Sequence, residues 1–163
     1  MKIEELDNAP QWLLDADTQD ADVDIIDGMV YWHHGTWHDG TWKGGIWHDG
    51  VWEYGTWEYG AWYNGIWHNG IWHNGFFRGG TWRDGIWHGG TWKNGAWHQG
   101  TWHGGTWYDG TWDYGTWHSG KWHNGIWFNG KWHSGIWYDG KWKWGYHTRV
   151  LPSGEPPYSD KEM

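Results

Sequence analysis

Large aromatic residues recur along this chain with a fixed period of five. From Tyr31 to Gly145 the sequence divides into 23 consecutive pentads, each with a first residue, a tryptophan, two further residues and a glycine. Tryptophan fills the second position of 22 pentads and glycine fills the fifth position of all 23, with Phe77 as the exception among the tryptophans. Helical repeats have periods of about thirty residues or more, so this period indicates another architecture.

The same spacing excludes the common helices. Glycine at every fifth position costs an α-helix about 1 kcal/mol each time relative to alanine, and it falls on all faces of a 3.6-residue period. A collagen triple helix needs glycine at every third position and abundant proline, and the pentads contain no proline. The pentads therefore predict β structure.

The end of each pentad reads as a corner. Its fourth residue is Asn, Asp, Gly or Ser in 17 of the 23 pentads, always followed by glycine. Such pairs favour a turn in which one residue takes φ > 0, a conformation that glycine accepts without steric cost. Between corners about three residues remain extended, with tryptophan on one side and the first and third residues on the other.

Stacked coils with their tryptophans inside satisfy this pattern better than isolated short hairpins, which are marginally stable. We therefore expect an all-β solenoid, with four corners and about 20 residues in each coil, spaced about 4.8 Å apart. Residues 20 apart would then form a core ladder of Trp37, Trp57, Phe77, Trp97, Trp117 and Trp137. Phe77 keeps a large ring but lacks the indole N–H, so we expect this ladder to require ring volume and not hydrogen bonding.

The pairing of large and small residues resembles pentapeptide-repeat proteins. Glycine stands two positions before each tryptophan, as in "GTWHD" at 35–39 and "GIWHN" at 65–69. In that family a large apolar residue faces inward and a small residue stands two positions before it. The resemblance implies a right-handed, four-sided β-helix. The chain departs from the family in using tryptophan where Leu or Phe is usual. It also resembles the Trp-rich "GTWxxG" repeats of tailed-phage proteins, which implies a phage context.

The charge divides the chain into three parts. The net charge of −9 arises almost entirely in residues 1–30, which hold nine acidic residues and one lysine, whereas residues 31–145 hold eight of each sign. We predict an acidic N-terminal capping segment at 1–31, a pentad solenoid at 32–146 and a Pro-rich polar tail at 147–163. A cap is expected because the open ends of a solenoid invite association.

In the four-sided arrangement, residues 20 apart share a face, and one face is the most apolar and aromatic. We predict that it is an interaction face, because a continuous exposed apolar stripe usually marks a contact surface. Its residues are Ile46, Ile66, Ile86 and Ile126 at the first position, and His48, His68, His88, Tyr108 and Phe128 at the third. The row His48, His68 and His88 is also a weak candidate for a Zn²⁺ or Ni²⁺ site.

Little in the sequence suggests catalysis. No nucleophile stands in a recognisable turn and no paired carboxylates stand out, so we expect neither enzyme activity nor a cofactor. We expect instead a rigid structural or interaction protein, a scaffold of a phage particle such as a tail, fibre or capsid accessory, which contacts another structural protein or itself. The alternative is a binding module that engages a protein or glycan along one face, including a topoisomerase-type mimic of nucleic acid. Glycan would bind mostly through Tyr54, Tyr59 and Tyr114.

The sequence offers few signs of where the protein works. There is no cysteine, and the N-terminal "MKIEELDNAP" lacks the apolar run of a Sec signal peptide. No stretch has the length and hydropathy of a membrane span. Direct nucleic-acid binding is not expected, because the pentads carry no basic stripe beyond Arg78, Arg83 and Lys93. A virion or the cytoplasm of an infected host would suit the phage resemblance.

Overall fold

A computed structural model describes residue 3 and residues 6–147. One short helix, α1, covers Gln11–Leu14, and two long strands follow, β1 (Asp17–Ile26) and β2 (Met29–Asp39). Two-residue strands then occur at every pentad. They are β3 (Thr41–Trp42), β4 (Ile46–Trp47), β5 (Val51–Trp52), β6 (Thr56–Trp57), β7 (Ala61–Trp62), β8 (Ile66–Trp67), β9 (Ile71–Trp72), β10 (Phe76–Phe77), β11 (Thr81–Trp82), β12 (Ile86–Trp87), β13 (Thr91–Trp92), β14 (Ala96–Trp97), β15 (Thr101–Trp102), β16 (Thr106–Trp107), β17 (Thr111–Trp112), β18 (Thr116–Trp117), β19 (Lys121–Trp122), β20 (Ile126–Trp127), β21 (Lys131–Trp132), β22 (Ile136–Trp137), β23 (Lys141–Trp142) and β24 (Tyr146–His147).

Every third strand pairs in parallel, so the molecule is a solenoid with three faces. Ile66 pairs with Val51 and with Thr81, which makes the coil 15 residues long. Face 1 consists of β4, β7, β10, β13, β16, β19 and β22, and face 2 of β5, β8, β11, β14, β17, β20 and β23. Face 3 consists of β3, β6, β9, β12, β15, β18, β21 and β24. The long strand β2 begins both face 1 and face 2.

The all-β solenoid with tryptophans inside is confirmed, but four sides and 20 residues per coil are wrong. Three indoles, one from each face, close the coil edge to face: the rings of Trp97 and Trp102 lie 5.9 Å apart at 74°. Between coils the rings stack in parallel, as between Trp97 and Trp112 at 4.8 Å and 5°. Each ring thus has aromatic partners within its coil and along its face, and edge-to-face and stacked contacts are both favourable arrangements. Three rings of this size fill a triangular interior, and we infer that a fourth would leave a gap on the axis.

The six residues of the predicted ladder are all buried, but they belong to three separate columns. Trp37 and Trp97 lie on face 2, Phe77 and Trp137 on face 1, and the other two, Trp57 and Trp117, on face 3. Phe77 takes a tryptophan's place between Trp62 and Trp92 on face 1, with ring distances of 5.8 and 4.1 Å. Its neighbour Phe76 is half-buried and pairs with Ala61 and Thr91.

Most indole N–H groups are buried without a hydrogen-bond partner. Fifteen described tryptophans are in this state, whereas five donate to the carbonyl of the residue 17 positions later. Trp102, for example, donates to the Ser119 carbonyl at 3.1 Å. An unpaired buried donor costs about 1–3 kcal/mol, so ring packing must outweigh that cost at most positions. Phenylalanine at position 77 fits an interior in which the N–H is usually unpaired.

Two properties of the corner position require glycine, its backbone conformation and its closeness to the neighbouring coil. At Gly90 the backbone has φ +109°, which side chains with a Cβ rarely adopt. A Cβ there would also meet the Gly75 carbonyl oxygen of the coil below at less than van der Waals distance. This close approach lets the next residue, Thr91, donate its N–H to the same Gly75 carbonyl at 2.9 Å. The glycines therefore set the spacing between coils.

The N-terminal segment closes one end. Strand β1 pairs antiparallel with β2 and so forms the N-terminal edge of faces 1 and 2. The pairing has register shifts near Gln19 and Asp22. Helix α1 contacts β3 on face 3, and the Trp12 ring lies 5.2 Å from Trp42 and 6.5 Å from Trp37. The predicted boundary at residue 31 falls within β2, because the first coil continues directly from the cap. The predicted tail lies outside the described residues, except for His147.

Two neighbouring glycines allow a matched test of the corner. Gly90→Ala should lower the free energy of unfolding by about 3 kcal/mol or more, because it combines a disfavoured φ with a backbone clash. Gly89→Ala should change it by about 0.5 kcal/mol or less, because the nearest atom to its Cβ, the His73 carbonyl oxygen, is 3.8 Å away and its φ is not positive. Chemical denaturation followed by tryptophan emission measures both. Equal losses would contradict the interlocked glycine column.

Candidate interaction surfaces

The outer surface of each face consists of two columns of side chains. Because the tryptophan of each pentad points inward, the first and third residues on either side of it point outward, and residues 15 apart stack above one another. The fourth residue of each pentad forms a further column at the corner. A binding surface that extends along the solenoid therefore consists of residues 15 positions apart.

That spacing separates the residues of the predicted interaction face. Ile46 lies on face 1, Ile66 and Ile126 on face 2, and Ile86 on face 3. At the third position, His48 and Tyr108 belong to face 1, His68 and Phe128 to face 2, and His88 to face 3. The continuous apolar stripe predicted from spacings of 20 does not form, because the coil closes after three pentads. Ile46 instead has Tyr31 and Ala61 as its neighbours.

Face 3 carries a column of histidines that the sequence analysis missed. His73, His88, His103, His118 and His133 stand in five successive coils, and their rings stack at 5.1, 5.0, 4.9 and 4.9 Å. Neighbouring ring planes differ by 10° or less. We call these five residues the histidine column. Its signal was present in the sequence, since histidine recurs five times in succession only when the third positions are read at spacings of 15.

The geometry does not favour a metal site. The three candidate ligands His48, His68 and His88 lie on three different faces, so they do not form a row. In the part of the chain that the structure describes, no group of three or more His, Cys, Asp or Glu side chains is placed to hold an ion. Two nitrogen ligands of tetrahedral Zn²⁺ lie about 3.4 Å apart, whereas the rings of the histidine column are parallel at about 5 Å.

Two members of the histidine column, His88 and His118, resist protonation. Burial against the neighbouring coils lowers the pKa of His88 below its ordinary value of 6.5, and the charges of His103 and His73 lower it further. Burial also lowers the pKa of His118, followed by the effect of His103 and His133. The strand positions of face 3 hold one carboxylate, Glu58, next to the end of the column, and two lysines, Lys43 and Lys131. The column therefore has no run of carboxylates to neutralise it.

On face 2, in contrast, two histidines lie beside carboxylates. The Nδ1 atom of His38 lies 2.7 Å from a Glu53 carboxylate oxygen, and this hydrogen bond raises the pKa of His38, with smaller contributions from the charges of Glu53 and Asp17. His98 lies 2.6 Å from an Asp113 carboxylate oxygen in the same column. Each of these two histidines therefore has a carboxylate as its neighbour in the next coil, an arrangement in which neighbouring side chains stabilise one another.

Face 1 combines aromatic and basic side chains. The Lys93 ammonium lies 3.7 Å from the centroid of the Tyr108 ring, and the Arg78 guanidinium lies 5.3 Å from that of Tyr63, both within cation–π range. The Tyr108 ring in turn stacks on His123 at 4.8 Å. The aromatic faces are thus occupied by neighbours in their own column, and mainly their edges face solvent.

The tyrosines proposed for glycan binding do not form one platform. Tyr54 and Tyr114 lie on one corner with three coils between them, and Tyr59 lies on another corner. Tyr59 covers Gly44 and, with Lys43 and Trp12, borders a shallow groove between the cap and the first coil.

No family model, curated protein or solved structure matches this chain. Its structure has the regular five-residue strand spacing, parallel stacking and enclosed large residues of a pentapeptide-repeat-like fold. Within the described residues, no helix is long and apolar enough to cross a bilayer.

Acid should destabilise the protein through the histidine column. Because the folded-state pKa values of His88 and His118 are lowered, the unfolded chain takes up protons first as the pH falls below about 6.5. Stability is then fully present above that pH and is lost below it. Two imidazolium charges 5 Å apart repel by about 0.8 kcal/mol even in a water-like dielectric. The raised pKa of His38 acts in the opposite sense, and its contribution is lost as the pH rises.

A triple substitution of His88, His103 and His118 to Gln should reduce the loss of melting temperature between about pH 7.5 and pH 5. The matched control, His48, His68 and His123 to Gln, removes as many histidines but leaves the histidine column intact. Melting temperatures of both variants and of the original chain, measured across this range, give the comparison. An equal effect of the two triples would show that the total number of histidines matters and that their stacking does not.

Proposed function

We propose that this protein is a non-catalytic structural element, a rigid rod that spaces or joins other components of an assembly. The observation that carries the proposal is the uninterrupted aromatic core. From Trp32 to Trp132 every inward ring is fully buried, and from Trp47 to Trp127 each ring contacts rings in its own coil and in the coils on both sides. Such a core leaves no interior space for a ligand and resists bending along its whole length.

The outer surface supports the same proposal. The residue types in its columns differ from face to face and from coil to coil. Many of their polar groups already contact neighbours within the same column, as in the pairs His38–Glu53 and Lys93–Tyr108. The titratable side chains that line the shallow groove beside Trp12 are Asp27, Lys43 and Tyr59. The scaffold of a phage particle remains the biological setting that the "GTWxxG" resemblance suggests, and it is part of this proposal.

The alternative is a module that binds a protein or glycan along one face. The two functions differ in how they tolerate changes in repeat number. Deleting Thr91–Gly105 removes one full coil and keeps every downstream residue on its face. Deleting Thr91–Gly95 removes one pentad and moves every downstream residue onto the preceding face, while the tryptophan core still closes.

A rod that acts through its length and ends should tolerate both deletions. We expect both variants to sediment with the same large assembly as the original chain in extracts of the producing cells or in purified particles. A face-binding module should tolerate the coil deletion better and lose its partner after the pentad deletion. The proposal fails if the original chain is found only as a free small species, or if only the pentad deletion abolishes incorporation.

A further inference from the structure

The two ends of the solenoid differ in structure. At the N-terminal end, β1 covers the edge of β2, and Trp12 covers the first indoles. The outer side of β1 has no strand partner among the described residues. This ten-residue strand therefore forms the outer edge of faces 1 and 2 at that end.

At the other end, the last strands carry no cover within residues 6–147. β22, β23 and β24 end their sheets, one on each face. Large apolar side chains become exposed there: Ile136 is 49%, Trp144 64% and Tyr146 77% accessible. Earlier inward tryptophans are fully buried, whereas Trp142 of the last coil is partly exposed. Exposed apolar side chains beside terminal strands are features of a surface that binds a partner.

The two ends also carry opposite charge. Residues 6–30 contain seven aspartates and no lysine or arginine, and all seven are exposed. Residues 121–147 contain four exposed lysines, Lys121, Lys131, Lys141 and Lys143, and a single acidic residue, Asp139. Like ends repel and unlike ends attract, and such complementarity determines which surfaces meet.

We propose that the chain associates head to tail with further copies of itself, the acidic β1 edge of one copy docking on the lysine-bearing coil end of the next. This inference rests on the proposed structural function and names its partner. The contact is heterologous, so each added copy leaves one free end of either kind, and the product is an open fibre.

The strand directions fit this contact. β22 and β23 are consecutive strands on faces 1 and 2, as are the two halves of β2. β1 runs antiparallel to β2, and its unpaired side can meet β22 and β23 of the next copy in the same antiparallel sense. On face 3, β24 with Tyr146 then faces the side that α1 covers through its contact with β3. The sheets of faces 1 and 2 thus continue through the junction, whereas on face 3 helix α1 lies between β3 of one copy and β24 of the next.

Salt provides the first test. Sedimentation velocity of the full chain should show concentration-dependent species larger than a dimer at about 10 mM salt, where the screening length is about 30 Å. At about 1 M salt the screening length is about 3 Å, and the dissociation constant should rise about tenfold or more. Electron microscopy of the low-salt sample should show fibres of the solenoid's width. A monomer at both salt concentrations would overturn the proposal, as would association that salt leaves unchanged.

Charge reversal provides the sharper test. Lys131, Lys141 and Lys143 to Glu should abolish association, and so should Asp17, Asp22 and Asp24 to Lys. An equimolar mixture of these two variants should associate again, because each reversed end then meets an end of opposite sign. The matched control reverses three bases in the middle of the body, Arg78, Arg83 and Lys93 to Glu, and should associate like the original chain. Circular dichroism checks that all variants fold.

Several outcomes would reject head-to-tail docking. If the mixture does not associate, or if the mid-body control loses association equally, the ends are not the contact. If the full chain is monomeric and a chain ending at His147 associates, residues 148–163 occupy the coil end instead of a second copy. A chain that is monomeric in solution but present in the large assembly of its source would contradict this inference while leaving the proposed structural function intact. Absence from that assembly would contradict both.

Discussion

The contact between indole rings is the interaction on which this structure depends. Within a coil three rings meet edge to face at about 5.9 Å, and between coils they stack at about 4.8 Å. The first contact closes the triangle, and the second matches the spacing of parallel strands. Because both are satisfied by the same side chain, a pentad needs only one large residue to contribute to the core. The remaining positions are then free to form corners and surfaces.

The second constraint is the bare backbone at the corners. Each coil rests on the one below through glycine, where even a methyl group would meet a carbonyl oxygen, as at Gly90 over Gly75. Indoles thus hold the interior apart while glycines bring the backbones together. The two residue types are complementary parts of one packing solution, which explains why they share the same period.

Local features of the sequence predict the local features of the fold. The tryptophan positions, the corners and the outward position of residues such as His88 follow from the pentad itself. The number of pentads in a coil does not, because every corner has the same chemistry and nothing local distinguishes closure after three from closure after four. Closure is decided by how rings far apart in the chain fill the interior. The rows on the surface depend on it, so Ile46 and Ile66 were wrongly placed together, while His73 and His88 were not recognised as neighbours.

The position of the cap has a consequence for how the chain folds during synthesis. The cap leaves the ribosome before the pentads, and it contains the long β1–β2 pair, which is joined by a tight turn at Asp27–Gly28. Each later strand needs only the strand 15 residues earlier as its template, so a coil can form as soon as it emerges. Growth then proceeds in one direction from a finished surface, and no coil has to wait for the C-terminus. A chain of such uniform repeats thereby obtains a defined starting point, which its pentads alone do not provide.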